Sequence, residues 1–261
     1  VSPLLAPLTG SFVIGAFGWR GVFVVLSIAA VLAFLLAATQ LKETRPPEER
    51  RQSSWRGAFG AYRTLLRDGE FLGLVLVGAL GVSSFFVYLA SASFVLIDHF
   101  GLTPRLFSLC FALNAASFFG FSQLTGMLTQ RFGLPKVVRV AASGFALSML
   151  SLAALFASGF DNLFALMAPL FVGYGFLGLV IPTTAVLALE HHGAIAGTAS
   201  ALMGSIQMIV GSAIMALAGL FANGEPEPMA YGIAACAVAA FLTAQLALRR
   251  VSGPAASPSF P

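Results

Sequence analysis

Hydrophobic positions along this chain form long unbroken runs, without the 2- or 3.6-residue alternation of half-buried elements. Charged residues, glycines and prolines separate eight such runs, at residues 1–17, 21–41, 71–97, 104–128, 137–158, 163–189, 194–222 and 229–248. Most of them reach the roughly 20 residues that a helix needs to cross the hydrocarbon slab at about 1.5 Å per residue. Strands of an outer-membrane barrel would be about half as long and would alternate in polarity. The pattern therefore predicts an all-α, polytopic transmembrane helix bundle with the bilayer as its solvent.

Composition supports this reading and charge orients it. Hydrophobic residues make up 58% of the 261 positions and charged residues 9%, with a mean hydropathy of +0.92. All but two of the 14 Lys and Arg residues fall in three connections that alternating crossings place on one face. These are Lys42, Arg45, Arg50, Arg51, Arg56, Arg63 and Arg67, then Arg131, Lys136 and Arg139, then Arg249 and Arg250. Arg20 and Arg105 fall opposite, with Asp98, Asp161, Glu225 and Glu227. The positive-inside rule makes the basic face cytoplasmic, so the net charge of +4 reports orientation and not affinity for nucleic acid. Cys110 and Cys236 sit inside apolar runs and read as small hydrophobes.

The connection at 42–70 opens with Pro46-Pro47 and mixed charges, the mark of a solvated linker between two packed units. In its second half Trp55, Phe59, Tyr62 and Leu66 recur at helical spacing, with Arg56, Arg63 and Arg67 on another face. That pattern suits either a helix in the headgroup layer or a cytoplasmic helix capping the bundle.

Particular residues carry a family resemblance. Ala6-Pro7-Leu8-Thr9-Gly10-Ser11 resembles the antiporter motif G-P-x-x-G-G of drug exporters in the major facilitator superfamily, with Ala6 and Ser11 replacing glycines. Gly126-Met127-Leu128-Thr129-Gln130-Arg131-Phe132-Gly133 is similar to the superfamily's cytoplasmic loop motif G-x-L-x-D-R-x-G, with Gln130 in place of the acid. Gly18-Trp19-Arg20-Gly21, Leu41-Lys42-Glu43-Thr44, Phe111-Ala112-Leu113-Asn114-Ala115 and Gly197-Thr198-Ala199-Ser200-Ala201 look like the Bcr/CflA branch of drug:proton antiporters. The resemblance implies that the chain is an amino-terminally truncated fragment covering helices five to twelve of a twelve-helix transporter. Residues 1–41 would be the last two helices of the amino-terminal half, 42–70 the cytoplasmic linker, 71–250 the carboxyl-terminal half and 251–261 a cytoplasmic tail. The proton-coupling group would then lie in the missing amino-terminal helices, in keeping with spans that carry no ionisable residue near their middle.

The resemblance further implies a substrate cavity near the midplane, lined by the third and sixth runs and supported by the fourth and seventh. On those runs Phe85, Tyr88, Asn114, Tyr174, Thr183, Thr184 and Gln207 are the candidate cavity residues. Tyrosines and phenylalanines offer apolar faces and a hydroxyl to an amphiphilic drug-like substrate. Asn114 and Gln207 must bond either a ligand or a neighbouring helix. Gly175, Gly178 and Pro182 thin and weaken the sixth run, which suits a hinge. The alternative is close packing, for which the Gly197, Ala201, Gly204 and Ser205 face of the next run is a candidate partner. His191 and His192 are adjacent, point about 100° apart on a helix and so read as interface residues, not a metal site. No phosphate loop, nucleophile motif or metal signature is present, so neither enzyme chemistry nor a cofactor is indicated.

The expectation is a multi-pass transporter of the inner (cytoplasmic) membrane, exporting drugs and conferring antibiotic resistance by alternating access against a proton flow. Its partners would be an amphiphilic substrate, protons and the lipid bilayer. The competing expectations are an importer or facilitator for a small nutrient, and a membrane scaffold or receptor that transports nothing.

Overall fold

The computed structural model describes residues 2–40, 55–221 and 223–251. The basic stretch from Lys42 to Ser54 and the tail beyond Val251 lie outside the described residues. Every regular element among the described residues is helical. The chain divides into two compact units, residues 1–59 and 60–261.

The first unit is dominated by α1 (Ser2–Gln40), which carries Ala6, Pro7, Gly10 and Ser11. The first two apolar runs form two helical stretches that meet with no intervening loop at Gly18, which takes the non-helical φ 68° and ψ 178°. Glycine adopts positive φ freely, so the helix changes direction at Gly18 and resumes without a loop through Trp19 and Arg20. By length and apolarity, seven segments among the described residues can cross a membrane, Phe12–Gln40 being the first.

Between the units, α2 (Trp55–Leu65) is the anticipated amphipathic helix. Leu65 is fully buried, whereas Leu66 and Phe59 are exposed. The Leu66 amide still donates to the Tyr62 carbonyl at 2.9 Å, so Leu66 keeps the helical register and lies exposed with Phe59. Six spans follow. They are α3 (Gly69–Ser93) continued by a π-helical turn (Phe94–His99), α4 (Pro104–Gln123) prolonged by α5 (Thr125–Phe132), α6 (Leu134–Ala157), α7 (Leu163–Glu190), α8 (Ala196–Gly219) and α9 (Pro226–Val251).

Several helix starts are written in the local sequence. Asp68 caps α3 by accepting from the Glu70 and Phe71 amides at 2.9 and 3.1 Å. Asn162 caps α7 by accepting from the Ala165 amide at 2.8 Å. Thr103 caps α4 with Pro104 in its first turn, where the missing N–H costs nothing.

The six spans pack around α3 and α7, whose segments are the most buried. The remaining helices follow a two-fold pattern: α8 and α9 lie against α3, α4 and α6 lie against α7, and α6 meets α9. Small residues set the close approaches. A Cβ on Gly178 would strike the Phe118 carbonyl of α4, one on Gly175 the Ser117 hydroxyl and Phe121 ring, and one on Gly173 the Met149 side chain of α6. The anticipated partner for these glycines is therefore corrected. Gly197 and Gly204 of α8 would meet nothing within 4 Å, because α7 turns its glycines toward α4 and α6.

The ends of the bundle agree with alternating crossings. At one end His99, after α3, places Nε2 2.8 Å from Asp161 and Nδ1 3.1 Å from Glu225, joining the loops before α7 and α9. At the other end His192, after α7, lies 3.2 Å from Asp68, before α3. Gly73 there abuts Ala247, which brings the Arg249 end of α9 beside the start of α3.

Helix propensity alone would make any mid-helix Gly→Ala change stabilising by up to about 1 kcal/mol. Gly178→Ala is expected instead to destabilise by about 1–3 kcal/mol, because a backbone carbonyl cannot yield to the new methyl group. Gly120→Ala, where a Cβ meets nothing within 4 Å, should show the propensity gain. Thermal unfolding in detergent separates the two.

Candidate functional site

Midway along the bundle, α3, α4 and α7 converge on a group of aromatic side chains. Phe85 and Tyr88 come from successive turns of α3, Phe107 and Phe111 from α4, and Tyr174 from α7. The Tyr88 ring stacks on Phe111 with centroids 5.8 Å apart and meets Tyr174 edge-on at 5.7 Å. Phe85 lies 6.0 Å from Phe111 and 6.2 Å from Tyr174, both in edge contacts. Such offset and edge geometries are those aromatic quadrupoles favour.

Three polar groups are set into this apolar wall. The Asn114 amide Nδ2 donates to the Tyr88 hydroxyl at 3.3 Å, and the Tyr174 hydroxyl donates to the Ser84 carbonyl at 3.4 Å. Ser117 donates to the Phe171 carbonyl at 2.6 Å, locking α4 to α7. The remaining acceptor of the amide, Asn114 Oδ1, is buried and has no hydrogen-bond partner. An unsatisfied buried acceptor costs about 1–3 kcal/mol.

The anticipated cavity residues thus separate into three groups. Phe85, Tyr88, Asn114 and Tyr174 come together in one cluster, with Tyr88, Asn114 and Tyr174 buried and Phe85 half-buried at its margin. Thr183 and Thr184 are buried and bond carbonyls of their own helix. Thr183 reaches Leu179 at 2.6 Å and Thr184 reaches Val180 at 2.8 Å, beside Pro182, whose ring removes a backbone donor. Gln207 stands apart from the aromatic group, with Nε2 3.0 Å from where a Cβ on Gly78 would lie, and Thr184 approaches the same spot. Phe111, Phe107, Ser84 and Ser117 were not among the anticipated site residues. Their signal was present: a Phe pair at i, i+4 on the helix of Asn114, and hydroxyls interrupting apolar runs.

At the loop motif, Gly133 closes α5 with φ 82°, which explains the need for glycine there. Arg131 and Lys136 each lie 5.3 Å from the Phe132 ring centroid. Gly126 is exposed at the start of α5. Gly175, Gly178 and Pro182 all lie within the continuous α7, where the glycines admit α4. Of the two adjacent histidines, His192 reaches Asp68 and His191 is exposed. No group of His, Cys, Asp and Glu among the described residues is arranged to hold a metal ion.

Comparison with known proteins places these features in context. The sequence profile of the Major Facilitator Superfamily matches residues 1–216. The uncharacterized MFS-type transporter YdgK of Bacillus subtilis is 31% identical over 224 residues, which is 84% of this chain and 55% of that protein. The bicyclomycin resistance protein homolog of Haemophilus influenzae is 27% identical over 248 residues, covering 93% of this chain and 61% of the relative. Multidrug resistance protein D of Escherichia coli is 28% identical over 217 residues, covering 83% and 53%. The chain thus spans somewhat more than half the length of these relatives.

Tyr88→Phe leaves the Asn114 amide with neither of its bonds satisfied and is expected to lower stability by about 1–3 kcal/mol. Asn114→Leu removes the orphaned acceptor together with its donor and should cost less. Comparing the two thermal midpoints in detergent reads the difference, and a larger loss for Asn114→Leu would show that Oδ1 is satisfied.

Proposed function

Because this chain belongs to the major facilitator superfamily, we propose that it supplies the carboxyl-terminal half of a proton-coupled exporter of amphiphilic drug-like molecules. It resides in the inner (cytoplasmic) membrane, its basic connections facing the cytoplasm. The observation that carries this reading is the Asn114 amide, whose Oδ1 is buried without a partner among the rings of Phe85, Tyr88, Phe111 and Tyr174. An apolar aromatic wall with a single free acceptor suits a substrate that is largely hydrophobic and carries one donor. Phe85, half-buried at the margin, makes the first contact. Tyr88 and Tyr174 form the wall behind it.

Alternating access draws on the same elements. The central pair α3 and α7 touches its flanking helices through glycines, and smooth faces let packed helices slide without unlocking side chains. Pro182 and its neighbouring threonines give α7 a flexible point on the side of Gln207. The chain's spans carry no central ionisable group, so proton coupling is assigned to helices preceding the ones described. The resistance-associated names of two relatives support a drug-like cargo.

Cells carrying the full-length protein should accumulate less of an amphiphilic fluorescent substrate than cells without it, and an uncoupler should abolish the difference. Asn114→Leu should lower the efflux rate by roughly tenfold, the equivalent of one hydrogen bond to substrate, with the protein still folded. Inward accumulation would favour a nutrient importer. Indifference of every transport readout to Asn114→Leu and Phe85→Ala would favour a scaffold.

A further inference from the structure

Two lateral grooves run between the outer helices of the carboxyl-terminal unit, in places related by its two-fold packing pattern. One, of about 620 Å³, lies between α8 and α9 over Leu80 of α3, and no Lys or Arg lines it. The other, of about 240 Å³, lies where α5 turns into α6, floored by Leu179 of α7 and walled by Leu128, Val137 and Val140. This second groove ends at Phe132 and Lys136.

Its mouth is strongly cationic. Arg131 and Lys136 both sit 5.3 Å from the Phe132 ring centroid, so one aromatic ring gathers two cations at the groove's end. Arg139 follows one turn later on α6, exposed. None of the ion pairs among the described residues engages these three side chains, and the neighbouring residue 130 is a neutral glutamine.

We propose that this groove is a binding site for an anionic phospholipid of the cytoplasmic leaflet. One acyl chain lies along Leu128, Val137, Val140 and Leu179, and the phosphate sits on Lys136 and Arg131. Within a membrane an apolar groove gains little by exchanging one lipid tail for another, since all tails are equally apolar. Selection therefore comes from the headgroup, and basic pockets between helices at the cytoplasmic surface choose anionic ones. Ring contact holds the two cations in place before the lipid arrives, which lowers the cost of ordering them. The larger groove is apolar and lacks the charge, so it serves as an internal control.

The inference rests on the cytoplasmic placement of this loop and not on the transport reading, because a chain that moved no substrate would still retain the lipid. The test is native mass spectrometry of the full-length protein in detergent, with equal amounts of phosphatidylglycerol and phosphatidylcholine of identical chains. The wild type should retain phosphatidylglycerol preferentially. Lys136→Gln should reduce that preference about fivefold, and adding Arg131→Gln should reduce it about fivefold again. Val140→Trp, which fills the groove without altering charge, should also lower retention, whereas Arg249→Gln, on the same face but away from the groove, should not. Excess inorganic phosphate should leave the lipid bound. Equal retention of the two lipids would overturn the proposal, as would indifference to Lys136→Gln. A silent Val140→Trp would reduce the effect to surface charge, and displacement by phosphate would reveal a simple anion site; either result also overturns it.

Discussion

No water reaches the hydrocarbon interior of a bilayer, and every backbone N–H and C=O placed there must find its partner within the protein. Long uninterrupted helices meet that requirement, and the rest of this structure accommodates it. Departures are confined to places that can bear them. Gly18 bends α1 with a positive φ, a π-helical turn ends α3 at the level of the connecting loops, and two prolines lie inside α7. Beside Pro182 the hydroxyls of Thr183 and Thr184 bond nearby carbonyls of their own helix. Side chains obey the same rule: Ser83, Ser84 and Ser117 all donate to carbonyls at 2.6 to 2.7 Å. Against that background Asn114 Oδ1 is conspicuous, one of two buried side-chain atoms among the described residues without a partner.

Packing inside the membrane cannot rely on expelling water, so close contact has to come from shape. Glycines on α7 bring α4 and α6 within reach, and aromatic rings fill the space between α3, α4 and α7. The same economy explains where polar chemistry is concentrated. A single amide and two tyrosines are buried together among aromatic rings of α3 and α4. Outside the core, charge takes over. Cations gather at one end of the bundle, where they orient it, and around Phe132 they meet an apolar groove.

Much of the architecture was legible in the sequence because the membrane simplifies the code. The run at 163–189 corresponds to a helix at Leu163–Glu190, and the run at 137–158 to one at Leu134–Ala157. Failures occurred where a local backbone choice or a three-dimensional neighbour decided the matter. Gly18 joins two helices with no loop between them, which residue identity alone does not reveal. Leu65 is buried while Leu66 and Phe59 are exposed, a difference set by the bundle beside α2 and not by spacing along the chain. Apolarity all round α7 and α8 hid which faces meet, so the small residues of α8 looked like a partner for α7 when α4 and α6 fill that role. Among the site residues, side-chain type indicated Tyr88, Asn114 and Tyr174, and their convergence appears only in the folded bundle. Thr183 and Thr184 look the same in sequence whether they face a guest or their own helix.

Six apolar helices crossing the bilayer in alternation, with their cationic ends on one face, make a topology that chemistry can read. It is tested most directly by labelling single cysteines, introduced into a cysteine-free full-length protein, in intact cells with a membrane-impermeant maleimide. Cysteines replacing Phe160 and Gly224 should react from outside. Those replacing Pro135 and Arg249 should react only after the cells are opened. Labelling of Pro135Cys or Arg249Cys from outside, or protection of both outer positions, would contradict the account.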